Sequence, residues 1–95
     1  MAKLDPIHPG EILKEEFLVP LGMSARRFAE VVNVPANRIT RLINGEVSVT
    51  ADTAYRLARA LGTTPGFWLN LQNAYDLHIV EDNGDYESIV PIVAA

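Results

Sequence analysis

Ninety-five residues, 48% of them hydrophobic, with a formal net charge of −4, describe one globular domain with a modest core. No apolar run approaches the ~18 residues of a membrane span, and the N-terminal MAKLDPIHPGE lacks the apolar stretch of a secretory signal. The absence of cysteine removes disulfides and thiolate metal sites and fits a reducing interior, so the expected location is the cytoplasm.

In chain order, His8-Pro9-Gly10 opens a first helix whose apolar stripe is Ile12, Leu13, Phe17 and Leu18, and which is expected to stop before Pro20. Leu21-Gly22-Met23 connects to Ser24, an N-cap residue, after which Phe28, Ala29 and Val32 recur at helical spacing. Asn33 tolerates the left-handed conformation and sits where this second helix must end. Val34-Pro35 restarts the chain, and a third helix covers 36–44, closing at Asn44-Gly45. Two short helices joined by a tight break over 24–45 form a helix-turn-helix pattern.

The charges give that pattern a chemistry. Residues 24–60 carry six arginines against three acids, a charge of +3; the rest of the chain carries two lysines against nine acids, a charge of −7. A basic centre between acidic flanks suits a focused nucleic-acid face and leaves a second, acidic surface for a basic partner. Arg26 and Arg27 fall in the first turn of the second helix and Arg38 in the first turn of the third. A cation there is unfavourable by a few tenths to ~1 kcal/mol unless an anion neutralises it. These three are the candidate phosphate ligands. On the third helix, Ile39, Leu42 and Ile43 share the inward side, while Asn37, Thr40, Arg41 and Asn44 share the opposite one. Arginine pairs with guanine, asparagine with adenine, and a threonine methyl with the thymine methyl, so Asn37, Thr40 and Arg41 are the candidate base readers. Asn44 reads as the C-cap with Gly45.

After a loop, Thr50 caps a fourth helix with Ala54, Leu57, Ala58 and Leu61 on one face and Gly62 at its end; Arg56 and Arg59 read as solvated surface. Thr64 and Pro65 open a fifth helix carrying Phe67, Trp68, Leu71, Ala74 and Tyr75. Trp68 and Tyr75 are candidates for a subunit interface, since helix-turn-helix proteins bind half-sites ~34 Å apart as dimers. In the tail, Leu77–Asp82 and Asp85–Val90 flank Asn83-Gly84, a hairpin-turn dipeptide. A short hairpin, an edge strand and a flexible tail all stay open. The expected architecture is all-α, five helices, with a helix-turn-helix domain over 1–78 and a tail over 79–95, β-structured in the hairpin reading.

HPGEIL at 8–13, SARRFAEVVNVPANRITRLING, TADTAYRLARALGTTP at 50–65 and FWLNLQNAYDL at 67–77 together resemble the HigA-type antitoxins of the Xre/Cro-like, lambda-repressor-like helix-turn-helix family. The resemblance covers roughly 5–78. It implies the antitoxin of a type II toxin–antitoxin pair, which binds a small basic mRNA-cleaving toxin (HigB-like) and, as a homodimer on double-stranded operator DNA, represses its own operon. It places the family's DNA face on Asn37, Arg38, Thr40 and Arg41. Ala25, Glu46 and Val47 depart from the pattern, standing where relatives often carry polar or basic residues. A stand-alone repressor of the same family and a protein-interaction module without DNA binding are the other readings. With two histidines, no Ser/His/Asp arrangement and no ligand spacing, neither an enzyme, a metal site nor a cofactor is expected.

Overall fold

The computed structural model describes residues 6–93. Helix α1 is continuous and built of three segments: α-helical Pro9–Ile12, π-helical Leu13–Leu18 and α-helical Val19–Leu21. It is followed by α2 (Ala25–Val31), α3 (Ala36–Ile43), α4 (Ala51–Leu61) and α5 (Pro65–Asn83). No strand occurs among the described residues, so the all-α five-helix architecture read from the sequence is the one observed.

Two boundaries differ from expectation. Helix α1 does not stop before Pro20 but runs through it to Leu21. Proline donates no backbone hydrogen bond, and its ring collides with the i−4 carbonyl of a regular α-helix. Here the preceding turns have shifted to the wider i−5 register, with the Val19 N–H donating to the Lys14 carbonyl, which relieves that demand. Helix α5 does not give way to a hairpin at Asn83-Gly84 either. Asn83 is its last residue, its side-chain amide donating 2.9 Å to the Ile79 carbonyl, and the Gly84 N–H still bonds Val80. Extending a helix already started at Thr64-Pro65 fixes one residue per hydrogen bond, whereas a lone two-stranded hairpin is barely stable in water. Residues 84–93 are exposed and form only a turn between Tyr86 and Ile89.

The core gathers one face of every helix: Leu13 and Leu18 from α1, Phe28 and Ala29 from α2, Ile39 and Leu42 from α3, Ala54 and Leu57 from α4, Trp68 from α5. Burying each large side chain stabilises the fold by roughly 1.5–3 kcal/mol relative to exposure. Trp68 sits at its centre with 0% exposure, ringed by Phe17 and Phe67, and its indole N–H donates 2.8 Å to Thr63 Oγ1. The expectation of Trp68 at a subunit interface is therefore corrected: the indole is spent on its own chain. Tyr75 is half-buried, its ring edge-on to His8 at 4.9 Å.

Candidate nucleic-acid interface

Each helix of the pair starts and stops on local chemistry. Ser24 accepts a bond from the Arg27 N–H (3.1 Å) and caps α2. Asn33 takes φ 59, turning the chain so that the Val34 N–H returns to the Ala29 carbonyl. Pro35 enters α3 in extended geometry without a side-chain cap, and Asn44 forms its C-cap ahead of Gly45 at φ 74. Ile39 and Leu42 drive the inner side of α3 into the core, which fixes what its outer side presents.

That outer side carries Asn37 and Arg41, both exposed, with no ion pair to Arg41 among the described residues. Thr40 is half-buried, and its hydroxyl donates 3.3 Å to the Asn37 carbonyl one turn back. Arg26 is exposed and likewise has no ion pair among the described residues. Arg27 lies 2.9 Å from Glu30, a surface pair. Arg38 is not free: its Nη1 donates 2.8 Å to Asp52 Oδ2 at the start of α4. The structure thus brings Arg38 beside the Asn37–Arg41 face and sets Arg26 and Arg27 on the first turn of the neighbouring helix.

Four supporting residues were not legible as such. Arg56, read as solvated surface, donates to Asp52 Oδ2 (2.8 Å) and to the Val32 and Asn33 carbonyls (2.8 and 3.4 Å). It satisfies the C-terminus of α2 and clamps the turn between the two helices to α4. Asp52 takes bonds from Arg56 and Arg38, and these hold its carboxyl below the ordinary carboxylate range. The i,i+4 spacing of Asp52 and Arg56 was the available signal; the bonds to Arg38 and Val32 had none. Gln72, buried on α5, accepts 2.8 Å from the Val49 N–H and donates to Asp76, pinning the loop after α3. Gly10 lets α1 cross α3: a Cβ there would lie 1.8 Å from the Leu42 carbonyl oxygen.

His8 joins these parts. Its Nδ1 accepts 2.9 Å from the Gly10 N–H as the N-cap of α1, and its ring leans on Tyr75. Burial lowers its pKa more than the nearby Val47 backbone and the Asp76 carboxylate raise it. An acceptor Nδ1 requires the neutral ring, in agreement.

An exposed polar face on the second helix of such a pair is the geometry of a major-groove reader, and sequence and structure comparisons identify the lineage. The helix-turn-helix family matches residues 13–68. Antitoxin HigA-1 of Vibrio cholerae is 51% identical over 75 residues, covering 79% of this chain and 70% of that protein. The chain belongs to the HigA-type antitoxins of the helix-turn-helix family. Among solved structures, antitoxin GraA superposes on this HigA-type chain with a TM-score of 0.90 at 41% identity, covering 95% of this chain and all of the other. It has also been solved in complex with its operator. The Pseudomonas aeruginosa antitoxin HigA with the higBA promoter superposes with a TM-score of 0.85 at 36% identity, covering 93% and 99%. The family is one of DNA-binding antitoxins and regulators, not of enzymes. Among the described residues, no helix is long and apolar enough to cross a membrane.

Proposed function

We propose that this protein is the antitoxin of a type II pair, a cytoplasmic homodimer that represses its own operon and neutralises a small basic mRNA-cleaving toxin. The observation that carries the DNA part is the outer face of α3: Asn37 and Arg41 exposed and adjacent, Arg41 without an ion pair among the described residues, on a helix whose inner face is locked in the core. In this reading α3 enters the major groove. Asn37 and Arg41 form bidentate pairs with bases, and Thr40, its hydroxyl turned to the backbone, offers its methyl. Arg26, Arg27 and Arg38 contact phosphates and set the register. The resemblance of the chain to GraA and HigA, both solved with their operator or promoter DNA, supports the same placement.

The dimer face assigned here is the outward side of α5, in place of Trp68. Ala74 and Leu77 lie away from Trp68 around the helix axis and Leu77 is 60% exposed, while Phe67, edge-on to Trp68, keeps 39% exposure. A helix with apolar residues on every side calls for cover on both faces. Among the described residues, those of α5 that are fully buried lie on the Trp68–Gln72 side.

The test is purification of the tagged protein from its own host, with mass identification of what stays bound. A stoichiometric small basic protein whose growth inhibition is relieved by co-expression is the expected result. A clean homodimer at native expression and low salt would replace this reading with that of a stand-alone repressor.

A further inference from the structure

Asp52 grips two arginines at once. Its Oδ2 stands 2.8 Å from Arg38 Nη1 on α3 and 2.8 Å from Arg56 Nε on α4, and Arg56 in turn grips the Val32 and Asn33 carbonyls. The carboxylate lies in the first turn of α4, where the positive helix end also favours it. Arg38, whose side chain keeps 42% exposure and uses one donor on Asp52, is therefore held through a chain of bonds to the turn of the helix pair.

We propose that Asp52 is a specificity-determining positioning residue of the DNA interface: by fixing Arg38, it restricts that arginine to a phosphate presented in one register. The proposal rests on α3 being the DNA-reading helix. Non-specific binding is essentially phosphate neutralisation and rewards any cation able to follow a phosphate wherever it lies. A held guanidinium cannot do so without leaving its carboxylate, and the carboxylate then faces the DNA with its own negative charge. On the operator, the register in which Asn37, Thr40 and Arg41 meet their bases is the one that brings a phosphate to the remaining donors of Arg38 where it already stands. The anion weakens wrong complexes more than the right one, which is discrimination by a repulsive element.

The experiment measures affinity against salt for two probes: a duplex selected by the wild-type protein from a random library, and a duplex of scrambled sequence. Asp52→Asn is expected to raise scrambled-duplex affinity about threefold or more and to steepen its log–log salt slope by up to ~0.9, one added phosphate. The selected duplex changes less, so the ratio falls. Asp52→Glu keeps the wild-type ratio. Glu16→Gln, the same charge change on the exposed side of α1, leaves the slope alone. Adding Arg38→Ala to Asp52→Asn abolishes the fall in the ratio and the steeper slope, leaving at most a uniform gain from the lost acid, because Arg38 carries the discrimination. A ratio that still falls without Arg38, or a slope unmoved in a folded Asp52→Asn protein, overturns the proposal. Should Asp52→Asn fail to fold, Arg38→Ala alone decides. It is expected to cost the selected duplex more affinity than the scrambled one, and an equal or larger loss on the scrambled duplex overturns the proposal. A wild-type protein that binds neither probe with a salt-dependent affinity removes the DNA reading itself, before any variant is compared.

Discussion

At Gly10 the missing side chain is what allows the first helix to rest on the third. A methyl group there would meet the Leu42 backbone oxygen, which cannot move without displacing the end of α3. Gly10→Ala is expected to lower the unfolding free energy by about 1–3 kcal/mol, the range for overpacking, read from urea melts. Next to it, the neutral His8 ring caps α1, and its pKa is depressed below the ordinary 6.5. A depressed histidine contributes stability that is complete above 6.5 and is lost as the pH falls through its folded value. The urea midpoint is therefore expected to decline between pH 7 and 5. In His8→Asn, which keeps an N-cap acceptor, that decline should flatten; an unchanged profile would mean that other groups cause it. The cap could be read from His-Pro-Gly alone, since capping is local. The close approach could not, because its other half is Leu42.

Among the elements, α3 was legible almost to the residue, since a nine-residue window with Ile39, Leu42 and Ile43 on one side admits a single orientation. Arg41→Ala is expected to cost ~1–3 kcal/mol of operator binding and to relax preference at one base pair, measured by selection from a random library. An intact preference would show that α3 is turned differently in the groove. Arg56 tells the opposite story. Its hydrogen bonds reach the end of α2, 24 residues earlier in the chain, so no window around it reveals the role. Arg56→Met should keep the packing of the stem but destabilise the fold by about 1 kcal/mol through the lost cap on Val32. A calorimetric melting temperature equal to wild type would refute that role. Asn83-Gly84 shows why a local motif can lose. The dipeptide favours a hairpin turn, but here it follows five turns of helix, with no strand to join among the described residues.

For the whole molecule, the remaining question is what covers the outward side of α5. Leu77→Glu is expected to shift the sedimentation coefficient from dimer to monomer while leaving far-ultraviolet dichroism unchanged, and to weaken operator binding because two linked recognition helices become one. Unaltered sedimentation would move the interface elsewhere. Composition, helical spacing, caps and the arginine-rich centre between acidic flanks determined the helix count, the helix-turn-helix pair and the face it presents. Those properties follow from periodicity and from bonds spanning three or four residues. Only the tertiary structure decided that Trp68 is core, that α1 passes through Pro20, and that Asp52, Arg38, Arg56 and Val32 form one connected support. The burial of Trp68 and the connected support depend on groups that the sequence separates and the packing of helices brings within 3 Å or into van der Waals contact, and the passage through Pro20 on a local shift to the i−5 register; a local periodicity of about 3.6 residues encodes neither.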